Sequence, residues 1–185
     1  MKTLETERLI LRAWTLEDLD DFYEYAKHPN VGPMAGWQPH SSKEISLNIL
    51  KGFIEEGEVW AITLKENGKA IGSLGIHSDK KRRDIDNVKS MGYVLSTDYW
   101  GKGYMTEAVK CVIKYVFEEM NLDLLSIYHY PFNIRSKRVI EKCGFEYEGT
   151  QRQSSKIYDG QVLDDVCYSI LKSEYYEKIK NTNQK

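Results

Sequence analysis

The chain has 185 residues, 41% of them hydrophobic, and 26 Lys and Arg against 28 Asp and Glu leave a formal net charge of −2. That length suits one domain with a core of its own, and the near-neutral balance excludes the broad basic face that bulk nucleic-acid binding needs. No apolar run approaches the ~20 residues that span a bilayer, and Met1 to Glu7 contains no apolar leader segment, so the expected location is the cytoplasm, with neither a nucleic-acid nor a membrane partner.

In chain order, Glu5 to Arg12 alternates like an edge strand, predicting a strand over 4–13. Thr15-Leu-Glu-Asp18 is a capping box that opens an acidic, amphipathic helix over 15–28. The irregular stretch Val31-Gly-Pro-Met-Ala-Gly-Trp-Gln-Pro-His40 follows, in which Trp37 either walls a pocket or plugs the core. A helix over 42–56 leads to strands near 58–65, 69–78 and 88–96, with Asn67-Gly68 as a type I′ hairpin signal. The block Lys80-Lys-Arg-Arg83, flanked by Asp79 and Asp84, reads as a solvated hairpin tip.

A helix over 104–120 carries Ala108, Val109, Val112, Ile113, Val116, Phe117 and Met120, an apolar surface wide enough to be buried against a sheet. A strand over 124–130, a helix over 134–143 and strands near 145–157 and 161–171 complete the pattern. Asn133 can cap the last helix and Gly144 can stop it in the left-handed conformation. The tail after Lys178 is expected to fray, giving one domain over 1–178 and a tail over 179–185. Cys111, Cys143 and Cys167 are odd in number and far apart, as buried reduced thiols are, and four scattered histidines show no metal-ligand spacing, so no metal is expected.

The most informative stretch runs from Gly92 to Ala108, where a β-patterned segment passes through Trp100-Gly-Lys-Gly-Tyr104 straight into a helix. Two glycines let the backbone approach a ligand closely, and the helix start leaves N–H groups unpaired at the positive end of its dipole. Such a turn is an anion site that needs no particular side chain. It lacks the Lys-Ser/Thr of a triphosphate P-loop and the G-x-G-x-x-G of a dinucleotide fold.

These residues resemble the acetyl-coenzyme A loop of the GNAT acetyltransferase superfamily, whose pattern Gln/Arg-x-x-Gly-x-Gly/Ala falls on Trp100, Gly103 and Met105. Trp100 and Met105 depart from that pattern. Tyr99 to Tyr104 followed by Thr106-Glu-Ala, and the Asn133-x-x-Ser136 helix ending in Gly144-Phe145, are similar to the RimJ/RimL-like branch of ribosomal-protein N-terminal acetyltransferases. The resemblance implies an α/β (α+β) GNAT fold, a mixed, mostly antiparallel central sheet with helices on both faces. It also implies acetyl-CoA as cosubstrate and direct attack of a neutral primary amine on the thioester in a ternary complex.

Within that resemblance, backbone groups at Val94, Leu95 and Ser96 pair with the pantetheine arm, and Leu95 N–H is the oxyanion donor. Gly101, Lys102, Gly103, Tyr104, Met105 and Thr106 hold the pyrophosphate, with Asn133 and Ser136 completing the cofactor site. Arg135, Lys137, Arg138 and Lys142 either reach the ribose phosphate or form an exposed basic face. The tyrosine that many GNAT enzymes use as acid is replaced by Ile140, and the branch offers Ser136 instead. Ser155 stands where the branch's basic glutamate is expected, and a neutral hydroxyl cannot hold the amine's proton. Either His77, His129, Tyr130 or Asp165 substitutes, or the acceptor arrives already partly neutral. Trp37, His77 and Tyr130 are the candidate acceptor-pocket residues, and a small amine is favoured over a protein N-terminus. The same loop would also serve a non-catalytic acetyl-CoA sensor or partner module, and the chain is expected to act as a monomer or homodimer.

Overall fold

β1 (Leu4–Glu5), β2 (Leu9–Ala13), β3 (Val59–Leu64), β4 (Ala70–Ser78), β5 (Val88–Leu95), β6 (Leu124–His129), β7 (Glu146–Lys156) and β8 (Val162–Leu171) form one sheet in the order β1-β2-β3-β4-β5-β6-β8-β7. The computed structural model describes residues 1–183. Every neighbouring pair is antiparallel except β5 and β6. Helices α1 (Leu19–Ala26) and α2 (Lys43–Glu56) contribute Phe22, Tyr25, Ala26 and Leu50 to one core, with Val59 and Ala61 of β3. Helices α3 (Tyr104–Glu118) and α4 (Ile134–Lys142) build the other core with Trp60, Ile62 and Leu64. Side chains alternate across a strand, so β3 is buried at every position because both of its faces are covered. The mixed, mostly antiparallel sheet with helices on both faces is therefore the observed architecture.

Several local expectations change. The strand expected over 4–13 is broken, because Thr6 N–H donates to Leu9 C=O at 3.0 Å and Leu9 N–H to the Thr6 hydroxyl at 2.9 Å, folding β1 back onto β2. The Asn67-Gly68 turn is not type I′, since Gly68 has φ of 76° but Asn67 is not among the positive-φ residues. Its side-chain oxygen instead accepts from Lys69 N–H at 3.0 Å. Lys81 and Arg82 are not a solvated tip but fold onto β7 and β8 in ion pairs with Asp165 and Glu148. The three cysteines are free thiols but half-buried rather than buried.

The tail beyond Lys178 is not frayed over its described length, because α5 (Lys172–Asn183) continues the chain directly from β8. Glu174 accepts from Leu171 N–H at 2.9 Å at its start, and Tyr175 stacks on Phe117 with ring centroids 5.0 Å apart. Residues 184 and 185 of the expected tail lie outside the described residues.

The capping box at Thr15 has a larger role than starting a helix. Asp18 accepts from Thr15 N–H at 2.9 Å and from both Arg12 guanidinium nitrogens at 2.8 and 2.7 Å, tying β2 to the first helical turn. Burial alone would raise the Asp18 carboxyl, but the Arg12 and Thr15 hydrogen bonds outweigh it and hold the pKa below its ordinary value. A depressed carboxylate stabilises the fold above its unfolded pKa, and the contribution disappears as pH falls through the lower folded value. Asp18→Asn is expected to cost about 2 kcal/mol at pH 7. Urea melts at pH 7 and below pH ~4 check this, because the difference from the parent should shrink on acidification.

Candidate active site

β4 and β5 pair from Ser78 opposite Lys89 to Gly72 opposite Leu95. β5 and β6 pair only from Val88 opposite Leu124 to Ser90 opposite Ser126, and beyond that point they diverge. Ser96 N–H donates to Ile71 C=O at 2.8 Å, which fixes the alternation of the ladder. Val94 peptide groups therefore face β4, while those of Tyr93 and Leu95 face the opening. Ser96 C=O is also engaged, accepting from Tyr99 N–H at 3.1 Å. Of the three positions expected to offer backbone groups to the pantetheine, Leu95 turns its N–H to the opening, Val94 and Ser96 are bonded elsewhere, and Tyr93 shares the orientation of Leu95. Trp100 Nε1 donates to Leu95 C=O at 2.8 Å and leaves Leu95 N–H as the free donor.

The opening leads into a cavity of about 380 Å³ bordered by Leu95, Gly101, Gly103, Met105, Thr106 and Ser136, with Val94 and Tyr104 also on its wall. Gly101 and Gly103 have φ of 76° and 82°, a left-handed backbone that side chains other than hydrogen resist. No side chain caps the start of α3, so its first N–H groups stay available to an anion. Met105, where a smaller residue is usual, turns into the core and is buried.

A brace that the sequence reading did not single out holds this turn. The Arg8 guanidinium donates to Lys102 C=O at 3.1 Å, lies 4.2 Å from the Tyr104 ring centroid and pairs with Glu107 at 2.6 Å. Glu107 also accepts from Thr6 hydroxyl at 2.5 Å and Arg8 N–H at 2.9 Å. These bonds outweigh the burial that would raise its pKa and hold the carboxyl below its ordinary range. Lys102 itself does not border the cavity; its ammonium sits 5.4 Å from the Tyr99 ring centroid.

Opposite the turn, Asn133 caps α4 by accepting from Ser136 N–H at 3.1 Å, and its Nδ2 donates to Met34 C=O at 3.0 Å. That second bond anchors the 3₁₀ turn Gly32–Ala35 to the cavity rim. Arg135, Arg138 and Lys142 border the cavity, the first with its guanidinium 4.5 Å from the Trp100 ring centroid, whereas Lys137 turns away toward Glu141. Ser136 Oγ lies 3.0 Å from the Tyr93 hydroxyl. Tyr93 was invisible to sequence reasoning because nothing in the motif marks which face of β5 it occupies.

Residues 8–146 match the acetyltransferase (GNAT) domain family. The chain belongs to the GNAT acetyltransferase family. Uncharacterized N-acetyltransferase p20 of Bacillus licheniformis is 32% identical over 181 residues, 95% of this chain and 99% of its own. The ribosomal protein uS5-alanine N-acetyltransferase of Escherichia coli is 25% identical over 187 residues, covering 93% of this chain and 92% of its own. A GNAT-family acetyltransferase from Bacillus anthracis has the same fold, with a TM-score of 0.84 at 24% identity over 94% of this chain and 100% of its own.

In this GNAT acetyltransferase the expected acceptor residues are dispersed. Trp37 does not wall the cavity; it packs on the α1–α2 core, 5.1 Å ring to ring from His40. His77 lies away from it on the exposed surface, with Nδ1 3.1 Å from Glu58. Tyr130 does not border the cavity either; it is buried, its hydroxyl 2.5 Å from where a Cβ on Gly36 would stand. Among the described residues, no group of three His, Cys, Asp or Glu side chains gathers to hold a metal, and no helix is long and apolar enough to cross a membrane.

The glycine turn yields a direct test. Gly103→Val forces a branched side chain into the left-handed region and displaces the N–H groups at the start of α3. Acetyl-CoA affinity should fall about tenfold or more, the equivalent of ~1.4 kcal/mol, while the backbone strain lowers the melting temperature by several degrees and leaves the protein folded. Calorimetric titration giving equal affinities would contradict the assignment.

Proposed function

We propose that this GNAT enzyme transfers the acetyl group of acetyl-CoA to a small primary amine by direct attack in a ternary complex. The observation that carries the reading is the divergence of β5 and β6 past Ser90, which leaves Tyr93 and Leu95 peptide groups facing a cavity that ends at the uncapped start of α3. The α3 start suits the pyrophosphate, and Arg135, Arg138 and Lys142 suit a further phosphate on the opposite wall. Leu95 N–H supports an oxyanion as the amine adds to the thioester carbonyl.

The leaving sulfur then needs a donor. A serine hydroxyl is a far weaker acid than a thiol, and burial pushes the Tyr93 phenol above its ordinary value despite its bond to Ser136. Both groups therefore keep their protons; with Tyr93 donating to Ser136, the serine hydroxyl is left to donate to the developing thiolate, while the proton that ends on sulfur comes from the attacking nitrogen. Ser155, in place of a carboxylate, supports a small amine over a protein N-terminus. The segment 31–40, held over the start of α4 by Asn133, narrows the approach further.

Free-thiol release over a panel of small amines, with a ribosomal-protein N-terminal peptide beside them, tests the acceptor class. The expected result is turnover with small amines above that with the peptide. On the best acceptor, Ser136→Ala should lower kcat by about tenfold or more with little change in acetyl-CoA affinity, and Tyr93→Phe should lower it less. Unchanged kcat in Ser136→Ala would remove that hydroxyl from the reaction.

A further inference from the structure

β5 and β6 meet along a short junction, Val88 opposite Leu124, Lys89 opposite Leu125 and Ser90 opposite Ser126. Among the described residues it is the one pairing that joins strands β1 to β5 to the half of the sheet formed by β6, β8 and β7. On one face the junction is packed, because Leu125 and Ile127 of β6 and Tyr168 of β8 share a core with residues of α3 and α4. Ser126 of β6 and Ser169 of β8 stand opposite one another on the other face. There the α1–α2 core takes in Val94 of β5 but no described residue of β6, β7 or β8.

That face is met by the connection from β4 to β5, residues 79–87. The connection begins and ends in one half of the sheet, yet its side chains grip every strand of the other. The buried Asp79 carboxylate accepts from the Ser126 hydroxyl of β6 at 2.8 Å, although β5 lies between β4 and β6. Lys81 Nζ donates to Asp165 of β8 at 2.6 Å, and the Arg82 guanidinium pairs with Glu148 of β7. Glu148 also accepts from the Ser169 hydroxyl of β8 at 2.7 Å. The clasp closes on itself, since Asp79 accepts from Lys81 N–H and from Arg82 Nη1, each at 2.8 Å. Charge-assisted bonds shielded from water hold their geometry more tightly than neutral, solvated ones.

We infer that the clasp of Asp79, Arg82 and Ser126 sets the angle at which β6 leaves β5, and with it the width of the slot that receives the pantetheine arm. The inference rests on the acetyl-CoA placement proposed above. Ser126 is the last paired residue of β6, so the clasp acts at the apex of the divergence. Leu95 lies about 17 Å further along β5, at ~3.3 Å per residue. A turn of about 5° at the apex would therefore displace Leu95 N–H by about 1.5 Å relative to β6 and α4, enough to break a hydrogen bond. None of the three residues borders the cavity, so they are positioning residues that act through the strands.

The test compares two ligands by calorimetric titration. One is acetyl-CoA; the other is adenosine 3′,5′-bisphosphate, the nucleotide end of coenzyme A without its arm. In Ser126→Ala, acetyl-CoA affinity should fall about tenfold, as loss of one charge-assisted bond at the apex implies, while bisphosphate affinity is unchanged. Arg82→Gln releases β7 but leaves the Asp79–Ser126 bond in place; it should act in the same direction, and it carries the test if Ser126→Ala does not fold. Unchanged acetyl-CoA affinity in a folded Ser126→Ala overturns the proposal, as does an equal loss for both ligands, which a general loss of structure would give. A parent protein that binds acetyl-CoA no more tightly than the bisphosphate overturns the placement of the arm itself, and this inference with it.

Discussion

The site depends on one interruption of the hydrogen-bond ladder, the end of β5–β6 pairing at Ser90 and Ser126. An internal strand with unpaired peptide groups is costly unless another chain or a ligand pairs with it. The sheet can carry that interruption because β5 is paired on its other side to β4, and because α3 and α4 cover the diverging strands with a continuous apolar core. The same divergence fixes which peptide groups face the cavity and which side chains stand across from them. Trp100 reinforces the pattern by occupying Leu95 C=O, so that the donor and not the acceptor of that peptide faces the cavity.

Electrostatics at the glycine turn follow from the same economy of placement. Glu107 lies in the first turn of α3, where a carboxylate favours the helix dipole but opposes an anionic ligand. Arg8 resolves the conflict by pairing with it while also holding Lys102 C=O, so the turn is stiffened and the local charge balanced by one side chain. The N-terminal β-hairpin therefore braces the glycine turn although no residue of it borders the cavity.

Much of this was legible in the sequence where one residue type does one local job. Gly101, Gly103, Asn133 and Gly144 were readable because left-handed turns and helix caps are determined by neighbours within a few residues. The break between β1 and β2 was not, because the alternation from Glu5 to Arg12 reads as one strand, while the Thr6–Leu9 bonds that fold it back are joined by bonds to Glu107, about a hundred residues away. α5 was missed for a similar reason: its anchor is the Tyr175 stack on Phe117 rather than an apolar stripe. Lys81 looked like a solvated charge until the loop carrying it proved to fold across β8. Tyr93 required knowledge of strand parity, which a one-residue change in register would reverse.

The central claim is that the free edge of β5 holds the acetyl-CoA arm through Tyr93 and Leu95. Amide hydrogen exchange measured residue by residue, with and without acetyl-CoA, tests it most directly. Tyr93 and Leu95 N–H should gain protection on binding, while Val94 and Ser96, already bonded to β4, should change little. Protection at Val94 and Ser96 with none at Leu95 would contradict the account.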